Sequence, residues 1–153
     1  MTSAEERIKE AMDRRKKRAR EKMCYHSLIE NIQKWGEEKE ITDPRNLLVQ
    51  YQKFREEANE FGFELTAYTL AHNADELLKR SLQYDGPRDE VIETYHNTKM
   101  EMGDVLVTLS ILAKQLDVTL YECMEMAYEK IKGRKGKTIN GTFVKEEDLN
   151  ATS

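Results

Sequence analysis

Proline and glycine, the residues that most often interrupt helices, are scarce in this sequence of 153 residues, which holds 2 prolines and 7 glycines. Cysteine is rare too. Cys24 and Cys123 stand far apart with no CxxC pair, which gives no sign of a zinc site or a disulfide framework and favours a reducing, cytoplasmic setting. No apolar run reaches the length of a membrane span, so we expect no membrane association.

Charged residues make up 35% of the chain and hydrophobic residues 39%, a balance typical of a helical protein in water. The formal net charge is −4, but residues 1–23 carry nine basic and five acidic side chains, which leaves the excess of acid on the rest. We therefore predict a basic helical extension over residues 1–23. The interleaved acids favour a solvated helix, and contact with nucleic acid or an acidic partner is the alternative.

Apolar spacing predicts four or five helices and no convincing strand. Trp35 belongs to the first apolar face, and Gly36 is positioned to end that helix. Asp43 and Pro44 form a start signal for the next helix. Its apolar residues recur every three or four positions and predict one buried stripe: Leu47, Tyr51, Phe54, Ala58, Phe61 and Leu65.

Helical patterning resumes after a turn at 84–87 and runs from about residue 88 to Leu116. Thr119 and Glu122 form a capping box for a last helix, which ends near Gly133. The remainder predicts an ordered loop and then a flexible tail over 147–153. The expected architecture is all-α, an antiparallel four-helix bundle in one domain over 24–146.

Two of these helices carry acidic pairs three residues apart beside the apolar stripe, Glu57 with Glu60 and Glu101 with Asp104. Antiparallel packing would bring the four carboxylates together at one edge of the core. Solvated helix faces are the ordinary explanation for such pairs in a highly charged chain. The second pair is less ordinary, because it opens the most apolar helix.

Four converging carboxylates repel one another unless a cation neutralises them. Oxygen ligands without cysteine or histidine favour Mg²⁺, with Mn²⁺ as a substitute, over Zn²⁺. Since Mg²⁺ usually keeps open positions for water and phosphate oxygens, such a site would suit phosphate chemistry.

Three segments together resemble the MazG-like all-α nucleoside triphosphate pyrophosphohydrolases, especially the single-domain versions encoded by phages. They are KFREEANE (53–60), EMGD (101–104) and the string from LYECM to FVKE (120–146). The resemblance implies a bundle whose two central helices hold Mg²⁺ through an EEXXE…EXXD pattern. It also implies cleavage of a nucleotide between its α and β phosphates, in the host cytoplasm if the chain is phage-encoded.

Carried onto this sequence, the resemblance makes Glu57, Glu60, Glu101 and Asp104 the metal ligands, with Glu56 and Glu57 as catalytic carboxylates. Lys130 and Arg134 match the cations that meet the phosphates. Their chemistry agrees, although basic residues at a helix end also complement the helix dipole. Two further residues are expected near the substrate: Lys53, one turn before Glu57, and Trp35, which is either a stacking residue or simply part of the core.

The connection between the two acidic motifs holds 40 residues, more than the resemblance leads one to expect, so residues 66–97 are predicted to add a helical hairpin. The expected function is Mg²⁺-dependent hydrolysis of a ribo- or deoxyribonucleoside triphosphate to the monophosphate and pyrophosphate by a homodimer or homotetramer. The alternative is a non-catalytic helical adaptor that uses the basic extension. The adaptor needs residues 1–23, whereas the enzyme needs the acidic quartet.

Overall fold

The computed structural model describes residues 16, 25–82 and 87–150, which are predominantly helical. The predicted basic extension therefore lies outside the described residues, apart from Lys16. The chain divides between Asp117 and Val118 into two compact units. The all-α prediction holds for the described residues except for one small two-stranded sheet. None of the described helices combines the length with the apolar content that crossing a membrane requires.

The helix α1 comprises residues 25–38 of the described chain and ends in a Schellman motif. Ile41 N–H donates to the Gly36 carbonyl and Glu40 N–H to the Glu37 carbonyl, while Glu40 adopts the left-handed conformation with φ of 57°. The prediction that Gly36 ends this helix is wrong, because Gly36 serves close packing instead. It is buried, and a Cβ there would collide with the side chain of Ile111.

The start signal at Asp43 and Pro44 is confirmed. The Asp43 carboxylate accepts a hydrogen bond from Arg45 N–H at 2.8 Å and caps a 3-10 turn, Pro44–Asn46, which leads directly into α2 (Leu47–Leu82). This helix is 36 residues long and continues without a break through Gly62.

The third helix, α3 (Asp89–Gln115), runs antiparallel to α2 and packs along it. The Tyr68 and Tyr95 rings, one from each helix, lie 5.4 Å apart, and Asp75 of α2 accepts from Arg88 N–H at the start of α3. Residues 66–82 are thus the C-terminal part of α2, and residues 89–97 are the N-terminal part of α3. The expected helical insertion takes the form of a longer hairpin built from the same two helices.

The apolar core of the first unit is small. Its buried apolar residues among those described are Ala71, Val91, Ile111 and Ala113. The stripe predicted on α2 is only half covered, with Tyr51 49% and Leu65 41% exposed. α1 packs on the α3 side of the hairpin, where the Gln33 amide donates to the Ser110 carbonyl at 3.2 Å. Three helices therefore pack together in this unit, and the four-helix bundle stays a prediction.

The second unit begins with α4 (Leu120–Ile131), and its predicted cap is present: Glu122 N–H donates to Thr119 Oγ1 at 3.0 Å. After it come β1 (Gly136–Ile139), β2 (Thr142–Lys145) and the short helix α5 (Glu146–Asn150). The strands pair antiparallel, with Gly136 opposite Lys145 and Ile139 opposite Thr142.

This hairpin corrects the prediction of a loop and a tail. Asn140 and Gly141 join the strands with φ of 48° and 79°, and a two-residue turn with both φ values positive favours Asn-Gly. The Asn-Gly pair between TI and TF was therefore a hairpin signal that the sequence analysis passed over. Residues 147–150 are helical, not the first part of a flexible tail.

Candidate metal centre

The antiparallel hairpin brings acidic residues of α2 and α3 together. Glu57 lies on α2, and Glu101 and Asp104 lie one turn apart on α3. One carboxylate oxygen from each of these three residues can be chosen so that all three lie within 4.8 Å of one another. Glu57 is only 8% exposed, Glu101 is half-buried and Asp104 is exposed. Three of the four predicted ligands thus form one cluster that opens to solvent at Asp104.

Glu101 is the least satisfied member of the cluster. Its Oε2 atom is buried and has no hydrogen-bond partner. Loss of hydration raises the pKa of this carboxyl, and the negative charges of Glu60, Asp104, Glu57 and Glu64 raise it further, in that order. A buried acceptor that faces other acids is unfavourable in the metal-free protein, and a cation would relieve it.

Glu57 has a partner of its own. Lys53 precedes it by one turn of α2, and Lys53 Nζ lies 2.7 Å from Glu57 Oε1 and 3.3 Å from Glu56 Oε1. The bond to Glu57 is the main cause that raises the pKa of Lys53. The side chain of Lys53 is 48% exposed and that of Glu57 only 11%, so the ammonium reaches inward from the surface.

Glu60, the fourth predicted ligand, lies beside the cluster. It lines an open cavity of about 390 Å³ together with Glu101, and its charge is the largest electrostatic influence on the pKa of Glu101. Glu64, one turn further along α2, lines the same cavity and was missed by the sequence analysis. The signal was present, because Glu57, Glu60 and Glu64 follow the i, i+3, i+7 spacing of one helix face.

The donor set fits a hard divalent cation. All candidate ligands are carboxylate oxygens, the kind of ligand that Mg²⁺ and Mn²⁺ accept. One oxygen from each of the three carboxylates lies within 4.8 Å of the others, close enough for all three to act as ligands of one ion.

Two other predicted residues lie at the surface. The side chain of Glu56 is 57% exposed and pairs with Lys53. Trp35 of α1 is 46% exposed, so it is not the buried core residue that its apolar spacing had favoured. Its role in stacking on a base stays a prediction.

The predicted phosphate ligands lie in the second unit. Lys130 is in the last turn of α4, and Arg134 follows between α4 and β1. Both line an open cavity of about 610 Å³, whose lining is Lys130, Arg134, Lys135, Lys145, Glu146 and Glu147. The structure thus adds two lysines to the cations that the sequence analysis singled out, and the β-hairpin brings Lys145 to them.

Comparison of the chain with family models, curated proteins and solved structures gives no match. The resemblance to the MazG-like pyrophosphohydrolases therefore depends on the sequence motifs alone.

Proposed function

We propose that the chain is a Mg²⁺-dependent nucleoside triphosphate pyrophosphohydrolase of the MazG-like type, which yields a nucleoside monophosphate and pyrophosphate. The observation that carries this proposal is the cluster of Glu57, Glu101 and Asp104, in which a buried oxygen of Glu101 lacks a partner. A purely solvated acidic face would leave no buried acceptor unpaired. The cluster instead has the charge and the ligand type that a divalent cation requires.

In this proposal Glu57, Glu101 and Asp104 hold Mg²⁺, and Glu60 completes the set from the rim of the cavity. Bound Mg²⁺ supplies charge neutralisation at phosphate oxygens and a lowered pKa for a coordinated water. Glu56, which is exposed on the same turn as Glu57, accepts the proton of the attacking water. Mn²⁺ can replace Mg²⁺, because it accepts the same oxygen ligands.

Lys130 and Arg134 are proposed to hold the departing pyrophosphate. Arginine offers paired N–H donors that match phosphate oxygens, and lysine adds a mobile positive charge. Four cations and two acids line the cavity of the second unit, so its balance of charge favours an anion.

A homodimer or homotetramer is part of the proposal, because several large apolar side chains of the helical hairpin are exposed among the described residues. Tyr51 and Leu65 of α2 and Tyr95, Met102 and Leu106 of α3 are each 41% to 49% exposed. The hairpin of a second copy would cover this face and complete a four-helix bundle. Light scattering is then expected to give a mass of at least twice the 18.0 kDa of one chain.

The test of the activity is pyrophosphate release from a panel of ribo- and deoxyribonucleoside triphosphates with Mg²⁺. The native chain is compared with the double variant Glu101→Gln, Asp104→Asn, which keeps the size of both side chains and removes their charges. We expect the native chain to release pyrophosphate and the double variant to be at least about 100-fold slower. The variant no longer holds the cation, so the negative charge of the phosphate oxygens is not neutralised.

The matched control is Glu93→Gln, which removes one exposed acid from the same helix. Its rate is expected to equal that of the native chain. A folded native chain that binds no divalent cation and releases no pyrophosphate from any nucleotide would contradict the proposal. That result would favour the alternative, a non-catalytic adaptor that binds its partner through residues 1–23.

A further inference from the structure

A positive charge, the ammonium group of Lys53, lies beside the acidic cluster. Lys53 Nζ lies 2.7 Å from Glu57 Oε1, at hydrogen-bonding distance. The same carboxylate is the ligand that α2 contributes to the cluster. An ammonium group and a divalent cation therefore compete for one carboxylate.

The compensation from Lys53 does not extend to the rest of the cluster. Among the ion pairs of the described residues, Glu57 is the member of the cluster that pairs with a cation, and neither Glu101 nor Asp104 takes part in one. The positive charge therefore lies on the α2 side of the cluster, and the two carboxylates of α3 keep their negative charge unpaired.

Lys53 also has a second carboxylate within reach. Glu56 Oε1 lies 3.3 Å from Lys53 Nζ, and Glu56 is exposed on the surface of α2. Positions i+3 and i+4 from a lysine are both accessible without a change in the helix. When Glu57 is released, Lys53 would therefore remain paired with Glu56. The free-energy cost of breaking the ion pair between Lys53 and Glu57 would then be small.

We propose that Lys53 is a built-in counter-ion, which holds Glu57 in the metal-free protein and is displaced to Glu56 when a divalent cation binds. The inference rests on the proposed metal site and adds a residue that sets its affinity. It makes Lys53 a positioning residue, since it acts on the ion through Glu57.

The experiment is calorimetric titration of the full chain with Mn²⁺ alone, at pH 7.5 and without nucleotide. Lys53→Met removes the ammonium but keeps the length of the side chain, and Lys53→Arg keeps the charge. We expect Lys53→Met to bind Mn²⁺ about tenfold more tightly than the native chain, because a repelling charge a few ångströms from the ion is gone. Lys53→Arg should bind about as the native chain does.

Lys34→Met is the control for net charge. It removes an exposed lysine of α1, and its Mn²⁺ affinity is expected to stay within about twofold of the native value, since distant surface charges are screened. Lys53→Gln serves as a second neutral variant, and helical circular dichroism verifies that each variant is folded.

The outcomes separate the inference from the function on which it rests. Native binding of Mn²⁺ with unchanged or weaker binding by both neutral variants would overturn the role of Lys53 and leave the metal site standing. Absence of binding by the native chain and by every variant would overturn the metal site, and the counter-ion with it. Tighter binding by both neutral variants but not by Lys34→Met is the result that supports the inference.

Discussion

Asp75 and Glu101 are two carboxylates on the same helical hairpin with opposite electrostatic surroundings. Asp75 is 1% exposed, and Lys79 Nζ lies 2.9 Å from its Oδ2, while Arg88 donates its backbone N–H to Oδ1 at 3.2 Å. These contacts lower its pKa, chiefly through the bond from Lys79. Glu101 has a buried oxygen without a partner, and its pKa is raised.

The contrast separates a carboxylate that stabilises the fold from one that, in the proposed function, binds a metal ion. Asp75 ties the last turns of α2 to the start of α3, because it pairs both with Lys79 of its own helix and with Arg88. Among the described residues, none donates a hydrogen bond to Glu101 or forms an ion pair with it. Loss of hydration and the surrounding acids raise its pKa, and perturbed groups of this kind are common at functional sites.

The largest effect should come from Asp75→Asn. We expect the melting temperature to fall by at least about 5 °C, because the buried Asp75 loses its ion pairs with Lys79 and Arg88 and a domain of this size loses a few degrees per kcal/mol of destabilisation. Thermal unfolding followed by circular dichroism measures it.

Glu76→Gln is the matched control for that variant. Glu76 also pairs with Lys79, at 3.0 Å, but its side chain is 43% exposed. Exposed ion pairs contribute little, so the melting temperature should change by less than about 2 °C. Equal effects of the two variants would mean that burial does not distinguish Asp75.

A smaller effect of the opposite sign is expected from Glu101→Gln. In the presence of a chelator this variant should melt about 1 to 4 °C above the native chain, because a charge repelled by its neighbours has been removed. Saturating Mn²⁺ should raise the melting temperature of the native chain more than that of the variant. If the variant melts below the native chain in the absence of metal, neighbouring groups already stabilise the negative charge of Glu101, which contradicts the prediction.

The smallest expected differences in melting temperature are those that a change of pH produces in the protein without metal. The lowered pKa of Asp75 gives a stabilisation that is present above its ordinary pKa of 3.8 and is lost as pH falls through the folded value. The raised pKa of Glu101 gives a penalty that is present above the folded value and disappears as pH falls toward 4.5.

Melting temperatures of the native chain, Asp75→Asn and Glu101→Gln between pH 7 and pH 3 measure these effects. Glu101→Gln should lose its advantage first, near pH 4.5, and Asp75→Asn should approach the native value only at lower pH. Parallel curves for all three proteins would contradict both pKa directions.

Local signals in the sequence were enough for most of the helices and for the two acidic pairs. Asp43 and Thr119 cap as their residue types predict, and the i, i+3 spacing of Glu101 and Asp104 puts both on one face of α3. The Asn140 and Gly141 turn could have been predicted as well, since its signal is equally local. Gly36 could not, because its role depends on Ile111, which lies 75 residues away.

The sequence by itself determined which residues carry negative charge and how they are spaced along each helix, since helical periodicity depends only on neighbours in the chain. Only the tertiary structure decided which acids meet. The register of α2 against α3 places Glu101 near Glu60 and Glu57 and brings Arg88 to Asp75, whereas the pair of Asp75 with Lys79 is a local i, i+4 contact within α2. Electrostatic interactions between the helices depend on distances in space. Two carboxylates of the same chemical type thereby acquired opposite pKa shifts.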